Sequence, residues 1–244
     1  MISYLLTRFK AIKIDMGWAD GLLYLTARAI ESASLGRIEL RKYYFVSQPV
    51  SERLLLPANR GLSILVQLID RHHHLVEKFP RPTPVIARRF DSGALCFLAS
   101  RNDHFIGFLW LQNGSYMEDE VRGRFTPLPE GTTMWDFDVH VEPGHRSTFA
   151  FARLWDTAND FLRRSGVKWT VSRISAFNPG SINSHVRLGA FPVASACFIN
   201  GRQWQIMLSG TPPYFHFSAG EQSVPELRLP AMNSNRKWYS RFAA

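Results

Sequence analysis

With 244 residues, 45% of them hydrophobic, the chain is long enough for one large domain with its own core or a domain with an appendage, and this composition excludes disorder throughout. No apolar run approaches a bilayer span, and the N-terminus lacks a signal-peptide cleavage pattern, so a cytoplasmic protein without stable membrane insertion is expected. A formal charge of +9 implies attraction to something acidic. The basic residues are scattered in twos and threes, as at Arg88 with Arg89 and Arg163 with Arg164, which describes a solvated surface and no nucleic-acid partner.

Ile2, Leu5, Leu6, Phe9 and Ile12 recur at helical spacing opposite Arg8, Lys10 and Lys13 and predict a basic amphipathic helix packed on the domain. Asp20 predicts the N-cap of a second helix over 21–34, ended by Gly36. Residues 1–36 therefore form an N-terminal helical extension, and 37–46 read as the first core strand. Leu62, Leu65, Val66, Ile69, Leu75 and Val76 predict a helix that runs into His72, His73 and His74. Three consecutive histidines cannot share one helix face, so no metal site is expected from them. The proline-rich residues 80–84 read as a stiff connector. Residues 94–100 and 105–112 are strands joined by a hairpin at Asn102 and Asp103. Cys96 and Cys197 lie within apolar strand-like stretches, the pattern of buried thiols. The polar residues 113–133, with glycines and prolines, are expected to form a lid on the acceptor side.

From Met134 the residues alternate: Trp135, Phe137, Val139 and Val141 on one face of a strand, Asp136, Asp138 and His140 on the other. Pro143 and Gly144 break it. Leu154, Trp155, Ala158, Phe161 and Leu162 then mark an amphipathic helix that Gly166 stops. A strand over 168–174 follows, and Asn178 with Pro179 predicts the N-cap and first position of a short helix ending at Gly189. Residues 191–199 and 202–208 are two more strands, turning at Asn200 and Gly201. From Ser209 the prolines, serines and asparagines predict an extended tail, 209–244, without its own core. In it Tyr214, Phe215, Phe217, Trp238 and Tyr239 offer packing surface for the domain or a partner.

Val141-x-Pro143-x-x-Arg146, followed by Asn178-x-x-Ser181-x-x-x-His185-x-Arg187-Leu188-Gly189 in the order strand, helix, strand, helix, strand, strand, resembles the GNAT family of acyl-CoA-dependent N-acyltransferases. The resemblance spans residues 37–208. It implies an α/β fold with a mixed, mostly antiparallel central sheet flanked by helices. It also implies an enzyme that moves an acyl group, acetyl foremost, from acetyl-CoA or another acyl-CoA to a small-molecule amine, with no metal.

By the same resemblance Phe137, Val139 and Val141 would line the slot for the pantetheine arm, and Arg146, Ser147 and Thr148 would receive phosphate at the start of the helix. Asn178 and Ser181 would touch the arm. His185 stands where the family often has the tyrosine that protonates the departing thiolate. Asp138 and His140 are placed to take the amine proton, and Glu142, nearer the turn, is a weaker candidate. The family's small residues in the phosphate turn are here Phe149 and Phe151. This departure leaves two alternatives: a long-chain N-acyltransferase fed by acyl-phosphopantetheine on an acidic acyl carrier protein, or a noncatalytic binding protein of the same fold.

Overall fold

Gly17, at φ 74° and ψ 164°, breaks the opening helical run, α1 (Ile2–Ala33), into two pieces. The computed structural model describes residues 2–146, 148–220 and 223–232, with side chains from residue 16 onward. The apolar stripe from Ile2 to Ile12, together with Trp238 and Tyr239, lies outside the described side chains. After α1 come β1 (Glu39–Pro49), β2 (Leu65–Ile69), α2 (Thr83–Asp91), β3 (Leu95–Arg101) and β4 (His104–Asn113). Next are β5 (Tyr116–Met117), β6 (Arg124–Leu128), β7 (Thr133–Val141), α3 (Ala150–Arg164), β8 (Trp169–Ser175) and α4 (Pro179–Arg187). The strands β9 (Phe191–Asn200), β10 (Trp204–Ser209), β11 (Phe215–Ala219) and β12 (Glu226–Pro230) complete the described chain. The fold is mixed α/β and mostly antiparallel, as expected; β7 and β8, linked through α3, pair in parallel. Among the described residues no helix is long and apolar enough to cross a membrane.

Two compact units divide the chain. The first comprises 1–48, 116–126 and 173–244, and its strands run in the order β11, β10, β9, β1. Tyr44, Val46, Ile174, Ala176, Ile182 and Ala190 form a buried cluster there. Asp20 does not cap a helix, as its position before an apolar stripe suggested. It lies within α1 and accepts from Lys42 Nζ and the Tyr44 hydroxyl, each at 2.5 Å. Burial, and then the hydrogen bond to Asp20, push the Tyr44 phenol up to about 12.

Two further expectations change in this unit. Residues 113–133 are not simply a lid, because they carry β5 and β6, with Tyr116 opposite Phe125 and Met117 opposite Arg124. The tail is not coreless either. β11 pairs with β10, the Arg124 N–H donates to the Pro225 carbonyl at 2.9 Å, and Leu227, Leu229 and Ala231 are fully buried. Arg124 and Pro225, like Thr126 and Glu226, are about a hundred residues apart in sequence, and local periodicity carries no sign of such pairings.

The second unit comprises 49–115 and 127–172, with strands ordered β8, β7, β4, β3, β2. The hairpin turn falls at Asn102 and Asp103, both at positive φ. The expected helix over 62–76 is instead β2 followed by a short 3-10 turn, His74–Lys78. A run of apolar residues this short fits either period, and pairing with β3 decides it. The expected connector at 80–84 instead opens α2, with Pro82 at the N-cap and Pro84 in the first turn, where a missing N–H costs nothing. One sheet face packs Phe79, Ile86, Cys96, Leu98, Phe108 and Trp110 together. On the opposite face Phe161 of α3 meets Phe97 edge-on at 5.6 Å. Both cysteines are free, and burial pushes both thiols up, which suits inert packing groups.

Candidate active site

The strand β7 departs from simple alternation at Phe137. Trp110 of β4 stands opposite Asp138, and Leu111 opposite Asp136, so β7 takes two steps where β4 takes one. This is a β-bulge, which bends its strand and re-aims the side chains that follow. Trp110 and Leu111 are successive and face opposite sides, hence Asp136 and Asp138 do too. Asp136 therefore leaves the face that alternation assigned to it; it is buried and accepts from Ser172 Oγ at 2.6 Å. Phe137, expected on the opposite face from Asp138, packs against the cluster of Phe108 and Trp110, 6.2 Å from the Trp110 ring. Burial changes at the same point: 133–136 are buried, whereas 137–141, Val139 and Val141 included, are half-buried.

Asp138 is not an open carboxylate. Arg81 grips it with two N–H groups, Nε to Oδ2 at 2.8 Å and Nη2 to Oδ1 at 2.7 Å, and Arg89 of α2 adds Nη1 to Oδ2 at 2.7 Å. Its side chain is 10% exposed. To take a proton from an amine it would have to surrender charge-assisted bonds, so its geometry is that of an anchor. Sequence reasoning missed α2 and both arginines. The signal was Pro82 and Pro84 ahead of Val85, Ile86 and Phe90, a helix start followed by one apolar stripe.

His140 is arranged differently. Nε2 lies 3.2 Å from Glu142 Oε1, and the ring is nearly parallel to Phe105, 4° apart in plane at 6.3 Å. Phe108, itself 6.0 Å from Phe105, lies 5.5 Å from the imidazole. Held so, Nε2–H donates to the carboxylate; in the neutral ring Nδ1 then carries the lone pair, and it has no hydrogen-bond partner among the described residues. Glu142 thus orients the imidazole.

Past β7 the chain turns through Pro143–His145, and Arg146 Nε donates back to the Val141 carbonyl at 3.2 Å. Thr148 Oγ1 donates to the His145 carbonyl at 2.7 Å and accepts from the Ala150 N–H at 3.3 Å, so it serves the first turn of α3. Ser147 lies outside the described residues. Phe149 is 42% exposed, and Phe151 leans edge-on against Trp155.

In the first unit Asn178 caps α4, accepting from the Ser181 N–H at 3.1 Å, with Pro179 at the first position. His185 is buried, and its Nδ1 lies 2.9 Å from the Ser181 carbonyl oxygen. A carbonyl only accepts, so Nδ1 bears a proton; the neutral ring then has an accepting Nε2, and donation from Nε2 requires the imidazolium. The same unit holds a charged knot. Arg173 reaches Glu118 Oε1 and Glu120 Oε2, each at 2.8 Å, and lies over the Tyr43 ring, whose hydroxyl also donates to Glu120. Burial pushes the Glu118 carboxyl above the usual range despite Arg173. For Glu120 the upward pull of burial is outweighed by Arg173, the Tyr43 hydroxyl and Arg41, which hold it below that range.

No family model and no curated protein matches this sequence. Solved structures resemble it faintly. A functionally unknown conserved protein from Staphylococcus epidermidis is 12% identical at a TM-score of 0.48, covering 70% of this chain and 65% of its own. This chain thus spans just under two thirds of that protein. A tandem GNAT protein from the clavulanic acid biosynthesis pathway is 16% identical at a TM-score of 0.44, over 68% of this chain and 55% of its own. AAC(6')-Iy bound to the bisubstrate analogue CoA-S-monomethyl-acetylneamine is 17% identical at 0.39, over 52% and 89%.

Proposed function

We propose that residues 137–141 and the start of α3 hold an acyl thioester, and that the protein transfers the acyl group from acyl-CoA, acetyl-CoA being the simplest donor, to an amine. The bulge at Phe137, with the fall in burial beyond Asp136, is the observation that carries this reading. Strand backbone beyond such a bend is suited to pairing with the amides of a pantetheine arm, and Phe137, Val139 and Val141 are assigned that role. Arg146, Ser147 and Thr148 are assigned the phosphates. The Arg146 Nη groups and the first turn of α3 supply donors, and Thr148 already occupies the Ala150 N–H.

The amine nitrogen attacks the thioester carbonyl, the C–S bond breaks, the amine proton goes to a base and the thiolate takes one from an acid. His140, through Nδ1, is the proposed base, and Asp138 is reassigned from base to positioning residue. His185 is the proposed acid, acting as an imidazolium whose Nδ1–H rests on the Ser181 carbonyl. Asn178 and Ser181 keep α4 in place and are assigned contacts with the arm. The exposed Phe149 ring favours a second donor, phosphopantetheine on an acidic carrier protein, because a single phosphate makes fewer demands on backbone approach.

Release of free thiol from acyl-CoA and acyl-carrier-protein panels, with and without small amines, tests the reading. Amine-dependent release from CoA supports it, and release from the carrier alone selects the second donor. Donor binding with no release under any amine leaves a noncatalytic binding protein and overturns it.

A further inference from the structure

Arg81 occupies the open end of the Asp138 cluster. A guanidinium carries five N–H donors in a fixed plane. Arg81 directs Nε and Nη2 to Asp138 and one Nη1 hydrogen to the Pro80 carbonyl, which leaves one hydrogen on each Nη without a partner among the described residues. Its carboxylate is shared, because Arg89 binds the same Oδ2, so Asp138 offsets only part of the charge on Arg81. The Arg81 side chain is 31% exposed against 11% for Arg89. Arg89, on α2, ties that helix to β7; Arg81, ahead of α2, is the more exposed of the two. Its Cζ lies 5.5 Å from the centroid of the Phe108 ring, the same distance as the ring of His140. The base and a guanidinium with two of its five N–H groups unpartnered among the described residues therefore lie 5.5 Å from one aromatic ring within a single unit.

We infer that the acceptor amine carries a carboxylate and that Arg81 binds it. The assignment of the ammonium end rests on the acyl-transfer reading of His140; the anion site rests on Arg81 alone. Two N–H groups on one planar guanidinium match the two oxygens of a carboxylate, and the partly buried Phe105 ring, packed on the buried Phe108, suits the carbon skeleton between the charged ends. The substrate class is amino acids and other amino-carboxylates, whereas neutral amines lack the anchor.

The test compares acyl-CoA thiol release with glycine, phenylalanine and lysine against glycinamide, phenylalaninamide and lysinamide. In the native protein kcat/KM for the acids exceeds that for the amides by roughly ten- to a hundredfold, expressed mostly in KM. Arg81→Gln brings the ratio to within about threefold of unity, and Arg81→Lys, which keeps the charge but not the fork, falls between and serves if the glutamine variant does not fold. Equal rates for acids and amides in the native protein overturn the inference and leave acyl transfer standing. If no amine releases thiol, calorimetric titration with N-acetylphenylalanine and its amide decides. Binding of the acid alone, lost in Arg81→Gln, upholds the anion site while acyl transfer fails; equal binding, or none, overturns the inference.

Discussion

At the scale of single residues, the difference between Asp138 and His140 is one of occupancy. Both were legible as polar side chains on one strand, but the guanidiniums that occupy Asp138 come from 57 and 49 residues away, a distance over which sequence spacing says nothing. His140 keeps a ring nitrogen for chemistry because Glu142, two residues on, holds the other. His140→Gln should lower kcat by about a hundredfold or more, and Glu142→Gln by roughly tenfold. His185→Phe should leave the fold intact and lower turnover by about ten- to a thousandfold; unchanged turnover removes its role as acid. The knot around Arg173 gives a pH signature of two signs. Glu118 titrates above its unfolded value, so its share of stability is complete below the ordinary carboxylate range and is lost as pH rises through the folded value. Glu120 titrates below, so its share is present above that range and lost on acidification. Melting temperatures from about pH 3 to pH 8 should show Glu118→Gln gaining on the native protein as pH rises and Glu120→Gln losing.

At the scale of elements, the bulge sets which side chains share a face. Period-two alternation places Trp135 to Val141 correctly as a strand, and helical spacing places α3 and α4 to within a residue or two, because each pattern reflects a single element facing a single core. An inserted residue leaves no mark in such a pattern, so the reversal at Asp136 appears only in the register with β4. β2 was misread for the related reason that its apolar run is too short to have a period. The sheet beside the bulge also tolerates no side chain at Gly107. A Cβ there would lie 2.5 Å from the His140 carbonyl oxygen and 3.3 Å from Val141 Cα, both backbone atoms. Gly107→Ala should cost about 1–3 kcal/mol in denaturant unfolding and shift β7 where His140 sits.

At the scale of the molecule, the α/β class and the element order of 134–208 were legible, whereas the strands of the tail and of 113–133 were not: β5 pairs with β6 and β11 with β10 nearby, but the bonds that tie 113–133 to the tail, such as Thr126 to Glu226, join residues a hundred apart. What joins the scales is the second half of β7 as a receiver for a thioester arm. Backbone hydrogen–deuterium exchange across 133–153, with and without millimolar CoA, examines that directly. Slowed exchange at 137–141 and in the first turn of α3, with 133–136 unchanged, is the predicted result. Identical exchange in both conditions, with CoA shown to bind elsewhere or not at all, would contradict it.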